Sequence, residues 1–163
     1  MKEQKLKITV IDDNEQMSEM VKDYLSQKFE GAEITVYNSG EKALAEIKEA
    51  PDVIILDYQL DIQNTKALNG IQVLMQLKKK FSTPVIFLSA QEKTEVSASI
   101  IKHGAYDYVV KNQQSFHRLE LIINNILQSN RLKKNVGSQK TLITALIILV
   151  VIIAAAFILT KIL

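Results

Sequence analysis

The stretch that most constrains this chain is Pro51-Asp52 followed by Val53-Ile54-Ile55-Leu56 and then Asp57. Four consecutive apolar residues, three of them β-branched, are too short for a buried helix and read as a strand covered on both faces. Strands of that kind belong inside parallel sheets with helices on either side. The run ends on a carboxylate, and in open α/β sheets ligands bind at the carboxyl ends of the strands. Asp57 is therefore either the first residue of a turn or an acid held by a rigid strand for chemistry.

The flanking chain repeats this unit. Leu6 to Ile11 is a β-branched run ending at Asp12-Asp13, and Glu33 to Tyr37 alternates as a shorter strand. Pro84 to Leu88 ends at Ser89-Ala90, and Tyr106 to Val110 runs into Lys111. Between them lie segments with apolar residues spaced by three and four, the helical period. These predict helices over 14–29 (capped by Asp13 or Asn14), 40–49 (capped by Ser39), 70–80, 92–102 and 114–130. Gly104 suits a left-handed position after the fourth helix, and His103 suits that helix's negative end. Strands alternating with helices predict a doubly wound, flavodoxin-like (βα)5 parallel sheet in a three-layer sandwich.

Charge separates this domain from the C-terminal residues. Residues 1–130 carry 15 Lys/Arg and 18 Asp/Glu, net −3, whereas 131–163 carry 5 Lys/Arg and no acids. The overall +2 thus averages two unlike regions and gives no reason to expect a nucleic-acid partner. Without cysteine, neither a disulfide framework nor a Cys-ligated metal is possible, and the apolar run before Asp12 is too short for a signal peptide.

Residues 141–160 are 20 residues without a charge, proline or glycine. As a helix they would span roughly 30 Å, the hydrocarbon thickness of a bilayer. Arg131, Lys133, Lys134 and Lys140 precede them and Lys161 alone comes after. This bias predicts a single-pass tail anchor in the inner (cytoplasmic) membrane, with the domain in the cytoplasm. The expected organisation is a domain at 1–130, a basic juxtamembrane linker at 131–140 and a transmembrane helix at 141–160.

At one edge of the predicted sheet the strand ends bring together Asp12 and Asp13, Asp57, Ser89 and Lys111. Three carboxylates in one hollow repel unless a cation or proton intervenes. Oxygen donors without His or Cys favour a hard cation, Mg²⁺ above all. A carboxylate nucleophile, a metal to neutralise transferring oxygens, and a hydroxyl and an ammonium to hold the product make a phosphoryl-transfer site.

The order Asp12-Asp13, Asp57, Ser89-Ala90, Tyr108, Lys111 resembles the receiver domain of bacterial two-component response regulators, over residues 5–128. The resemblance implies that Asp57 accepts a phosphoryl group from a histidine kinase or phosphotransfer protein. It implies Mg²⁺ held by Asp13, Asp57 and the backbone carbonyl of Gln59, with Asp12 acting through water. Ser89 would bond the phosphoryl oxygens, Lys111 would pair with them, and Tyr108 would turn inward as a switch. The altered helix 4–strand 5–helix 5 face, with Val96, Ser99, Tyr108 and Phe116, would then meet a downstream protein or a second copy of the chain. Such a domain supports its own phosphorylation and dephosphorylation and is not otherwise an enzyme.

Two features depart from the common pattern. Asn69-Gly70 comes thirteen residues after Asp57, where the family has about eight and a proline. Asn112 stands after Lys111 where the family places a cis-proline, and a cis bond before a non-proline costs about 2.5–4 kcal/mol. The Lys111–Asn112 peptide is accordingly expected trans, which bears on where the lysine is placed. Two other functions compete. One is a constitutive membrane-tethered docking module that keeps the fold without phosphotransfer. The other is an aspartyl-phosphate hydrolase like the haloacid dehalogenase-like phosphatases, whose paired acids lie one residue apart on the first strand. Here the acids Asp12-Asp13 are adjacent. His103 and His117 pair with no acid at ligand spacing and read as surface residues.

Overall fold

All four residues of β3, Val53–Leu56, are buried, and the rest of the sheet is arranged around this strand. We describe residues 5–60, 67–91, 94–133, 144 and 146–148, in a computed structural model of the chain. β1 is Lys7–Ile11, β2 Glu33–Tyr37, β4 Val85–Ser89 and β5 Asp107–Val110. All pairings are parallel, in the order β2-β1-β3-β4-β5. This is the flavodoxin-like order that the alternating pattern predicts.

The helices are α1 (Glu15–Lys28), α2 (Gly40–Glu46), α3 (Gly70–Lys80) and α4 (Thr94–Lys102), with a fifth, α5, over 115–133. Two N-caps are among those expected: of Asp13 and Asn14 it is the Asn14 side chain that accepts from the Met17 N–H, and Ser39 accepts from the Lys42 N–H. Asn69, not among the expected caps, forms a reciprocal capping box with Gln72. Gly104 has φ +95°, the left-handed conformation expected of it. The chain divides into two compact units, Met1–Ile123 and Asn124–Leu163. The sheet and all the acids belong to the first.

Alternating side chains of the sheet build two cores. Ile11, Ile54, Leu56, Val85, Phe87 and Tyr108 pack in one cluster with Ala43 and Leu44 of α2, Leu74 and Leu77 of α3, and Ile100 of α4. On the other face Val21 and Leu25 of α1 and Leu119, Ile122 and Ile123 of α5 are buried. Helices thus cover both sides, as a parallel sheet requires.

Two helix ends differ from the periodicity. α2 stops at Glu46 rather than 49, because Ile47 turns to ψ 107° and the chain must enter Pro51, which excludes helix at the residue before it. The ammonium groups of Lys80 and Lys48 donate to the Leu44 and Ala45 carbonyls left open there, at 2.5 and 3.0 Å. α5 continues to 133, past the expected 130.

The predicted span 141–160 lies outside the described residues except for Thr144 and residues 146–148. Those are helical, and Leu146, Ile147 and Ile148 are 55–59% exposed. Among the described residues no helix is long and apolar enough to cross a membrane. Residues 61–66 of the loop after Asp57, and 134–140 of the predicted linker, also lie outside them.

At the first residue of α3 a Cβ on Gly70 would stand 2.5 Å from the Asp57 carbonyl oxygen and 2.9 Å from Phe87 Cε1. Both neighbours belong to the sheet and cannot withdraw. Gly70→Ala should therefore destabilise the fold by roughly 1–3 kcal/mol, by overpacking. Urea unfolding monitored by circular dichroism measures this, and an unchanged midpoint would contradict the close approach.

Candidate functional site

Register decides where the acids meet. Ile11 pairs with Leu56, so the next residues, Asp12 and Asp57, leave adjacent strands side by side. The ladder continues past the strand ends: the Asp57 N–H donates to the Ile11 carbonyl at 2.8 Å, and the Asp12 N–H to the Tyr37 carbonyl at 3.1 Å. At the other side of β4 the Lys111 N–H donates to the Ser89 carbonyl at 2.8 Å. The result is a cavity of about 380 Å³, lined by Asp12, Asp13, Asn14, Asp57, Gln59, Ala90 and Lys111.

One carboxylate oxygen each from Asp12, Asp13 and Asp57 lies within 4.8 Å of the others, with Asp12 and Asp57 buried and Asp13 exposed. Lys111 Nζ stands 2.8 Å from Asp12 Oδ2 and 3.3 Å from Asp57 Oδ1. Among the described residues no peptide bond is cis. A trans Lys111–Asn112 peptide therefore still delivers the ammonium to the acids. The remaining carboxylate oxygens are met by backbone, the Asn14 N–H donating to Asp12 Oδ1 at 2.9 Å and the Gln59 N–H to Asp57 Oδ2 at 3.2 Å.

Burial pushes the Asp57 carboxyl up to about 6 against the opposing pull of Lys111, and the Asp12 charge raises it further. Burial works to lower Lys111, but its contacts with Asp12 and Asp57 outweigh this and raise it. A carboxylate near 6 is still mostly ionised at pH 7, so Asp57 remains a nucleophile. The donor set is oxygen alone, from three acids at one solvent-open hollow, and it fits a hard divalent ion such as Mg²⁺.

Ser89 is fully buried and does not line this cavity; Ala90 does. Its Oγ accepts the Gln91 N–H at 3.3 Å. Tyr108 is also buried, and its hydroxyl donates to the Gln91 carbonyl, so one residue of backbone is held by both side chains. Burial raises the Tyr108 hydroxyl, with Ser89 opposing. The structure thus brings Asp12, Asp13, Asp57, Gln59 and Lys111 together and sets Ser89 and Tyr108 behind the rim. Asn14 and Gln91 enter through backbone atoms, which leave no side-chain signature in a sequence. His103 and His117 are exposed, but His117 Nδ1 lies 3.7 Å from Glu120 Oε2, a pairing that ligand spacing does not suggest.

A carboxyl whose value in the folded protein lies above its ordinary range binds its proton more tightly when folded. Asp57 therefore favours folding in acid, and this is lost as pH rises through about 6. In metal-free buffer Asp57→Asn should stabilise the protein at pH 7.5 by on the order of 1–3 kcal/mol and give little gain at pH 4. Urea unfolding of both proteins across that range is the measurement; equal midpoints at neutral pH would show that Asp57 is not desolvated.

The family described as the response regulator receiver domain matches residues 8–124. The chain is 32% identical over 117 residues to the regulatory protein VanRc of Enterococcus gallinarum, covering 71% of this chain and 46% of that protein. It is 28% identical over 136 residues to a protein-glutamate methylesterase/protein-glutamine glutaminase of Bacillus licheniformis, covering 78% of this chain and 37% of that protein. It therefore spans less than half the length of either. Among solved structures, the Francisella response regulator 1452 receiver domain superposes with a TM-score of 0.66 at 31% identity. That alignment covers 76% of this chain and 98% of that one. Receiver domains are signalling domains that bind Mg²⁺ at an acidic pocket and interact with histidine kinases or phosphotransfer proteins. With 8–124 matched and the acids gathered where that pocket lies, the chain belongs to the response regulator receiver domain family.

Proposed function

We propose that the chain is a membrane-anchored receiver that accepts a phosphoryl group on Asp57 from a histidine kinase or phosphotransfer protein. The observation that carries this reading is the trio of carboxylate oxygens within 4.8 Å, with the Lys111 ammonium against two of them. Asp57 is the acceptor because it ends the central strand, next to the Gly70 backbone that keeps its rear packed. Asp13, Asp57 and the Gln59 carbonyl would hold Mg²⁺, and Asp12 would assist. The ion supplies positive charge to the phosphoryl oxygens. Lys111, already between Asp12 and Asp57, pairs with the phosphoryl group once Asp57 carries it as an acyl phosphate. Ser89 reaches that group by exchanging its bond to the Gln91 N–H. Output passes through the face of α4, β5 and α5 to a downstream protein or a second copy of the chain. Val96, Ser99 and Phe116 are half-buried; Val96 packs against the core cluster that holds Tyr108, while Phe116 meets Tyr24 of α1.

The tail places this domain at the inner face of the cytoplasmic membrane. Support comes from the uncharged stretch 141–160, the basic residues before it, and the exposure of Leu146, Ile147 and Ile148. Three apolar side chains more than half exposed in a row need a lipid or protein cover. Anchoring concentrates the receiver near membrane-borne partners. A second reading, the constitutive docking module, is favoured by one observation. Tyr108 is buried with its hydroxyl on the Gln91 carbonyl, and the Ser89 hydroxyl accepts the Gln91 N–H instead of lining the cavity.

Transfer of labelled phosphate from acetyl phosphate separates the two. The full chain should take up acid-labile label with Mg²⁺, lose it with chelator, and fail to take it up as Asp57→Asn. Label persisting on that variant would mean another acceptor, and no label on the unaltered chain would favour the docking module. Removing residues 132–163 should move the protein from the membrane pellet to the soluble fraction while it still accepts label. A shortened chain that stays in the pellet would contradict the anchor.

A further inference from the structure

The acidic pocket lies at the carboxyl ends of the strands; the opposite edge of the sheet has a different chemistry. There α3 ends in Lys78, Lys79 and Lys80, α4 ends in Lys102, and Lys48 lies just past α2. These three helices form one layer, since Leu44, Leu77 and Ile100 share a single core cluster, so their ends line up along that edge. Lys48, Lys79, Lys80 and Lys102 are exposed.

Lysines at helix C-termini complement the negative ends of the helices. That accounts for Lys80 and Lys48, which donate to the Leu44 and Ala45 carbonyls, and for Lys78, which donates to the Thr83 carbonyl at 3.0 Å. Lys79 and Lys102 also lie in last turns, but they make no ion pair or hydrogen bond among the described residues, so their exposed ammonium groups can meet an external anion. Three acids of this edge have partners: Glu49 pairs with Lys7 Nζ at 2.7 Å, Asp52 accepts the Lys7 N–H at 2.8 Å, and Asp107 lies 3.7 Å from Arg118. Glu30, Glu33 and Glu46 lie at the same edge, so its positive charge is concentrated at the ends of α3 and α4.

Within the first unit α5 runs toward this edge. Tyr24 of α1 stacks on Phe116 at 5.5 Å and donates to Glu120 at 2.7 Å, while Lys28, one turn further along α1, meets Glu120 at 3.6 Å. Rising numbers on α5 thus accompany rising numbers on α1, and both helices run from the pocket end to the basic end. Arg131 and Lys133 come next on α5, then Lys134 and Lys140 before the apolar stretch.

We propose that the edge carrying Lys48, Lys79, Lys80 and Lys102 rests on an anionic lipid surface, so that the acidic pocket faces away from the bilayer. This rests on the tail-anchor reading proposed for residues 141–160. Residues 134–140 reach at most about 25 Å when extended, which bounds the distance from residue 133 to the apolar stretch. Attraction between exposed lysines and anionic lipid falls off within a Debye length of about 8 Å, so the edge must make contact to gain from it. A five-residue strand is roughly 17 Å long, which puts the pocket's acids about two Debye lengths from the lipid. The surface that attracts one end of the sheet therefore does not repel the other.

The full chain would be reconstituted in nanodiscs of phosphatidylcholine alone or with about 30% phosphatidylglycerol. Amine labelling read by mass spectrometry then reports each lysine, with Lys22 and Lys42 as references away from the edge. Labelling of Lys79, Lys80 and Lys102 should be about threefold slower or more on the anionic discs, and high salt should abolish the difference. The double variant Lys79→Glu/Lys102→Glu should return Lys80 to its rate on neutral discs. Equal rates on both lipids overturn the proposal, and so does slowing that survives high salt. Alkaline carbonate wash keeps the two readings apart. Protein retained with equal labelling rates removes the basic edge and leaves the anchor, whereas protein released by the wash removes the anchor and the proposal with it.

Discussion

The molecule depends on a buried electrostatic balance at the end of its central strand. Asp12 and Asp57 are side by side because Ile11 and Leu56 are in register, and both carboxylates are buried. Two such charges in a poorly solvated hollow would drive each other toward protonation. Lys111 keeps that from happening, at 2.8 and 3.3 Å from the two. The balance is incomplete, and Asp57 still lies near 6. The three acids form an oxygen-donor set that suits a divalent cation, and the carboxyl pushed up by burial belongs to that set.

The same geometry links the acidic pocket to the far side of β4. Lys111 is held at the end of β5 by the Ser89 carbonyl, while the Ser89 hydroxyl holds the Gln91 N–H. Tyr108, three residues before Lys111, takes the Gln91 carbonyl. Any demand on the Ser89 hydroxyl from the pocket is therefore felt first as a lost bond to Gln91, at the start of the segment leading into α4. No long pathway is needed, because the serine and the tyrosine share one residue of backbone.

Much of this was legible in the residues. The β-branched runs located all five strands, Asn14 and Ser39 marked helix starts, and the strand-end acids were found from their position alone. The helix ends were less legible. α2 is cut short by the approach to Pro51, and its open carbonyls are taken by Lys80 from a neighbouring helix, a tertiary contact that periodicity cannot express. Asn112 in place of proline suggested a displaced lysine. The backbone bond from Lys111 to Ser89 positions it regardless, because ladder hydrogen bonds and not the isomer of the next peptide set its direction. The withdrawal of Ser89 was not readable, since it depends on which of two nearby partners its hydroxyl takes.

The segment after Asp57 is clamped at both ends. Leu60 is buried beside Gly40, where an added Cβ would come within 3.3 Å of its Cδ1, and the Leu68 N–H donates to Glu41 at 2.7 Å. Gly70 then closes against the Asp57 carbonyl. With entry and exit secured to α2 and the sheet, the length between them is decoupled from the position of the acceptor. Adding residues there costs only slowly growing closure entropy. Residues inserted between Leu60 and Leu68 would thus lengthen the chain beside Asp57 without moving its carboxylate.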